Sequence, residues 1–134
     1  MNPKVTFPIN PDTPVSHLPF SPVVRVGDLV FVSGQASVDA TGKIISDTFE
    51  GEFRRSVENL RKVLQTAGCD LNDVIQTRNY VRDAAEVPLY NQLYREYFSA
   101  PFPTRTTITN CLPPALRYEI ECIAVARSLA TLPV

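Results

Sequence analysis

Proline placement constrains this chain more than any other feature. A proline has no N–H to give a sheet ladder and breaks a helix beyond its first turn. Six of the twelve prolines precede Val23. Residues 1–22 therefore read as an extended, irregular arm with room for one edge strand. Pro88, Pro101, Pro103 and the Pro113–Pro114 pair then divide the second half into short segments, each of which must be read separately.

Between the arm and Pro88 the patterns are clear. Val23–Val26 and Leu29–Ser33 read as two short strands around a Gly27–Asp28 turn, with Gly34 closing the second. Asp39–Gly42 is another turn signal. Phe49, Phe53, Val57, Leu60, Leu64 and Ala67 recur at helical spacing. They predict a helix over 48–67, capped by Asp47 or Thr48 and ended by Gly68. Its charged residues fall off that apolar face and read as a solvated surface. Val74–Arg82 reads as a strand. A second helix runs to Phe98 and starts near Ala85 to Val87, because Pro88 is tolerated only in a first turn. Val87, Tyr90, Tyr94, Tyr97 and Phe98 share one side of it. Pro101 and Pro103 stop it. Thr104–Cys111 and Arg117–Ala126 are β-branched or alternating and read as the last two strands.

The order β-β-α-β-α-β-β predicts an α+β fold, a sheet with two helices on one face. A chain of 134 residues is expected to form a single domain, 1–134, that needs no disulfide staple. Two helices cover only one face of a sheet. Leu29–Val32 and Ile120–Val125 nevertheless offer apolar side chains to both faces. A second cover is required, so a homo-oligomer is expected.

Composition removes whole classes of chemistry. Cys69, Cys111 and Cys122 are odd in number and form no C-x-x-C pair, so no structural zinc set is expected. No run of about 18 apolar residues suggests a membrane span. Met1–Asn10 does not read as a secretory signal. The expectation is a cytoplasmic protein with reduced thiols. The single histidine, His17, sits in the proline-rich arm and makes a poor general base for a triad. Thirteen basic against fourteen acidic side chains give a net charge of −1, which disfavours nucleic acid as a partner.

The segment Pro101–Thr109 carries the one candidate for chemistry. Arg105 is the only charge between Ser99 and Leu116. A guanidinium in such surroundings loses hydration and calls for an anionic partner. That partner is either a carboxylate ligand, which the guanidinium fork matches bidentately, or an acid on a neighbouring strand. Glu119 and Glu121 point to one face of the last strand and are available.

These pieces together resemble a known family. The matching segments are Gly27–Gln35, Ser56–Leu60, Ala67–Val74, Tyr80–Asp83, Tyr90–Phe98, Phe102–Thr106 and Tyr118–Val125. The P-x-R segment followed by the E-I-E-x-I-A strand is the most specific of them. The chain is similar over about residues 28–127 to the Rid/YjgF family of reactive intermediate deaminases, also described as endoribonuclease L-PSP. The resemblance implies a chorismate mutase-like fold and a homotrimer with clefts between subunits. It implies hydrolysis of enamines and imines to 2-keto acids and ammonia, with no cofactor or metal. It assigns Arg105 to the substrate carboxylate and Glu119 to the attacking water, with Glu121 as the substitute acid. It adds Ser33, Gly34, Asn91 and Thr107 to the pocket lining; Phe20, where the family has a cleft tyrosine, reads as packing or as an aromatic wall of the pocket.

Two departures bear on substrate choice. Leu18-Pro19-Phe20 stands where the family's deaminases carry Gly-Pro-Tyr. The stretch from Arg105 to Leu112 is one residue shorter than usual, and Thr106 replaces a smaller residue. Two other readings stand beside the imine deaminase. One is a module that binds a keto acid or other small carboxylate without turnover. The other, disfavoured by charge and by the lone histidine, is a ribonuclease.

Overall fold

The proline-free segments pair into a six-stranded sheet in the order β1-β2-β3-β6-β4-β5. The computed structural model describes residues 4–11, 13 and 16–126. Pro3 and Pro14 of the arm and Pro133 lie outside the described residues. The strands are β1 (Val5–Thr6), β2 (Val23–Val26), β3 (Leu29–Ala36), β4 (Val74–Val81), β5 (Thr104–Thr109) and β6 (Tyr118–Val125), and the helices are α1 (Phe49–Thr66) and α2 (Val87–Tyr97). The described arm contributes β1 at one sheet edge, antiparallel to β2.

Local chemistry explains the boundaries. Gly27 turns the β2–β3 hairpin at φ +58°, a conformation that costs glycine little. Thr48 caps α1, its Oγ1 accepting from the Gly51 N–H at 3.2 Å. Gly68, at φ +82°, ends that helix. Pro88 sits in the first turn of α2, after a short 3-10 turn over 84–86. Strand β5 runs parallel to β4, and a parallel neighbour needs a long crossover. Helix α2 is that crossover.

Both helices lie on one face of the sheet. Phe53, Val57, Leu60, Val63 and Leu64 of α1 are fully buried against Val30, Tyr118, Ile120 and Ala124 of the strands. Phe53 and Tyr118 rings meet at 4.6 Å between centroids. Truncating a ring such as Phe53 to alanine costs about 3–5 kcal/mol. The opposite face keeps Leu29, Phe31, Ile108 and Val125 partly exposed, at 37–44%. Cys122 is a buried core thiol, as its apolar run suggested, and Cys69 is buried as well.

One boundary differs in kind from the sequence reading, while others shift by one or two residues. Gly34 does not close β3. The strand continues to Ala36 through a bulge, for Val32 pairs with Cys122 but Gln35 pairs with Ile120. Three steps on β3 match two on β6, so Ser33 and Gly34 share one partner position. The extra residue changes which parity faces the helices. Val30 and Val32 are buried before the bulge and Gln35 after it.

Candidate functional site

Position within the sheet decides where each predicted residue points. On β6, Tyr118, Ile120 and Cys122 face the helices and are buried, so Glu119 and Glu121 face the opposite side. Tyr80 pairs with Glu119 and Arg78 with Glu121. On β5, Arg105 pairs with Thr77, a buried helix-side residue. Arg105 and Glu119 of one chain therefore lie on opposite faces of its sheet.

Arg105 is correspondingly not a buried ion pair with a β6 carboxylate. Its side chain is exposed at the sheet edge, and it lies over two rings of α2. Its guanidinium carbon is 4.8 Å from the Tyr90 centroid and 5.0 Å from the Tyr94 centroid. Such stacking holds a guanidinium without neutralising it. Sequence reading put Tyr90 and Tyr94 on the helix's apolar side but missed their use as a floor. Their i, i+4 spacing beside an isolated arginine was the available signal.

The floor is itself anchored by hydrogen bonds. Tyr90 Oη and Thr107 Oγ1 lie 2.8 Å apart, as do Tyr94 Oη and Thr77 Oγ1. Asn79 donates from Nδ2 to Thr77 Oγ1 at 3.0 Å and accepts from Tyr118 Oη at 2.5 Å. A buried polar thread thus runs from β6 through β4 to α2. Burial pushes the Tyr90 phenol up to about 12, so it stays neutral near pH 7. Polar Thr77 and Asn79 on the helix side of a strand were the sequence sign of this thread.

Two concavities flank these groups. The smaller, about 230 Å³, is lined by Asn91, Tyr94, Arg95, Phe102, Pro103 and Arg105. Asn91 and Arg105 of the sequence reading both line it. The larger, about 400 Å³, holds Phe20, Ser33, Gly34 and Glu119 with Leu18, Ile44 and Leu116. The predicted residues therefore form two groups, and Thr107 lines neither.

The larger group is tightly fitted around Glu119. A Cβ added at Gly34 would stand 2.7 Å from Glu119 Oε2, so the bulge brings backbone against the carboxylate, and any side chain there would push that carboxylate aside. Burial raises the Glu119 carboxyl above its ordinary value, and the neighbouring Glu121 charge adds to the rise. Glu121 itself accepts from Tyr80 Oη. Ser33 Oγ donates to the Ser21 carbonyl at 2.6 Å, so its proton is already committed. The chemistry on offer is an anion-binding fork in one concavity and a proton-accepting carboxylate in the other. Among the described residues no group of three His, Cys, Asp or Glu side chains lies close enough to hold a metal ion. No helix among them is long and apolar enough to cross a membrane.

Comparison with known proteins places this arrangement. The family model described as "Endoribonuclease L-PSP" matches residues 11–126. The chain belongs to the endoribonuclease L-PSP, or Rid/YjgF, family. A human relative named 2-iminobutanoate/2-iminopropanoate deaminase is 31% identical over 115 residues, covering 84% of each chain. A Thermotoga maritima structure described as a putative endoribonuclease is 32% identical and superimposes with a TM-score of 0.83, covering 92% of this chain and 98% of the other. Escherichia coli TdcF, solved with bound serine, is 31% identical, with a TM-score of 0.80 over 92% and 99% of the two chains. The family resemblance and the α+β architecture read from the sequence agree with these findings.

Proposed function

We propose that this member of the Rid/YjgF family hydrolyses 2-imino acids to 2-keto acids and ammonia in a cleft closed by two copies of the chain. The observation that carries the reading is the separation of Arg105 from Glu119 across the sheet. Each lines its own concavity, and the proposed contact between neighbouring chains brings the two together. The partly exposed Leu29, Phe31, Ile108 and Val125 support burial of that sheet face against further copies, three in the assembly that the resemblance implies. The deaminase names of relatives support the reaction class.

The chemistry needs few groups. Arg105 binds the substrate carboxylate, with Asn91 beside it, and its stacked position pre-pays part of the orientation cost. Glu119 takes a proton from water as the water oxygen bonds to the imine carbon, and the imine nitrogen gains a proton. The resulting carbinolamine loses ammonia as its C–N bond breaks and the C=O bond forms. A positioned base contributes about 10²–10⁴-fold to such a step. Gly34 and Ser33 offer backbone groups around the carboxylate, and Phe20 supplies an aromatic wall. No cofactor is required, because the imine is already electrophilic.

The test is ammonia release from imines generated by an amino-acid oxidase. Arg105→Ala loses the acceleration seen with the unmodified chain. Equal rates for both would reject the reading. Retained keto acid binding with no turnover by the unmodified chain would favour the binding-module alternative.

A further inference from the structure

The larger concavity is polar at one point and apolar along its wall. Its polar side chains other than Glu119 are satisfied within the chain. Ser33 Oγ donates to the Ser21 carbonyl, Gln35 Nε2 donates to the Ser33 carbonyl at 3.1 Å, and Ser16 Oγ accepts from the Leu18 N–H at 3.1 Å. What remains is Leu18, Phe20 and Ile44, exposed at 66%, 48% and 40%, with Leu116 beneath. Large apolar side chains gathered around a carboxylate-bearing hollow mark a ligand surface.

This inference rests on the proposed imine hydrolysis. A 2-imino acid is planar at the reacting carbon, which carries a carboxylate, the C=N group and a side chain. Arg105 takes the first and Glu119 addresses the second. The third is the part left for the apolar wall. A methyl group covers little of a hollow of about 400 Å³, whereas an isobutyl or benzyl group displaces water from it. We propose that the preferred substrates are 2-imino acids with branched aliphatic or aromatic side chains, and that Leu18, Phe20 and Ile44 set this preference.

The experiment uses the full chain and imines formed in place by an amino-acid oxidase from leucine, phenylalanine and alanine. Acceleration of imine loss is read as kcat/KM for each. The expected result is a preference of roughly ten-fold or more for the leucine and phenylalanine imines over the alanine imine, the scale set by one or two methylenes in an apolar pocket. In Leu18→Ser and Ile44→Ser, with folding checked by thermal melting, that ratio falls several-fold. Equal kcat/KM values, or a preference for the alanine imine, overturn the inference and leave imine hydrolysis standing. A ratio unchanged in both variants overturns the assignment to this wall. No acceleration of any imine overturns the deaminase reading and the inference with it.

Discussion

The guanidinium carbon of Arg105 lies over the Tyr90 ring at 4.8 Å from its centroid. In the proposed reaction the ring sets the plane in which the substrate carboxylate approaches. Tyr90→Leu removes that face and raises KM roughly three- to ten-fold, the scale of a cation–π contact, with little change in kcat. Tyr90→Phe keeps the ring and stays near the original KM, although it loses the Thr107 hydrogen bond. Steady-state kinetics well below the melting temperature separate the two.

The space a side chain at Gly34 would need is taken by the Glu119 carboxylate. In Gly34→Ala the new Cβ meets Oε2 at 2.7 Å and Cδ at 2.9 Å unless the carboxylate moves. The moving part is the flexible end of a side chain, so the melting temperature changes little. The displaced base lowers kcat by about 10- to 100-fold, as misplacement on the order of an ångström does. A large fall in melting temperature with unchanged kcat would contradict this.

With Glu119 as the proposed base, its raised carboxyl is expected to set the acid side of the pH profile. Glu119 works as a base only when ionised, so activity rises with pH through a midpoint above 4.5. Glu121→Gln removes the neighbouring charge and moves that midpoint down, while the part due to burial stays. Stability runs the other way. A carboxyl with a raised folded-state pKa binds its proton more tightly in the fold than in the unfolded chain, so its contribution falls as pH rises upward from about 4.5 through the folded value. Profiles of kcat/KM and of urea midpoints against pH test both directions.

Separation of Arg105 and Glu119 across the sheet predicts complementation between inactive chains. Arg105→Ala and Glu119→Gln are each inactive alone. Unfolded together and refolded, they form some clefts with the intact Arg105 of one and the intact Glu119 of the other. Random pairing in a closed ring of head-to-tail contacts restores about a quarter of the sites. Activity absent from the mixture, with assembly shown by light scattering, contradicts a shared cleft.

Much of this was legible in the sequence because strong local rules agreed with one another. The apolar spacing from Phe49 to Leu64 had one reading, Pro88 set the start of α2, and alternation from Tyr118 to Cys122 placed both glutamates on one face. The family segments then pointed to Arg105 and Glu119. Two things resisted. The β3 bulge exists only through pairing with β6, so Gly34 looked like a strand end. Arg105 looked like a buried ion because its sequence neighbours are uncharged. Exposure at a sheet edge and stacking on Tyr90 and Tyr94 depend on the crossover through α2, which no local pattern encodes.

The buried thread Tyr118–Asn79–Thr77–Tyr94 has a consequence for how the chain can change over generations. Each member satisfies the next, with contacts of 2.5, 3.0 and 2.8 Å. Replacing Asn79 leaves the buried Tyr118 hydroxyl without the acceptor shown for it, at about 1–3 kcal/mol for such a polar group left behind. Replacing all four by well-packed apolar residues removes the penalty together with the groups that incur it. The four positions are therefore coupled, and a double replacement at two neighbouring members costs less than the sum of the single ones.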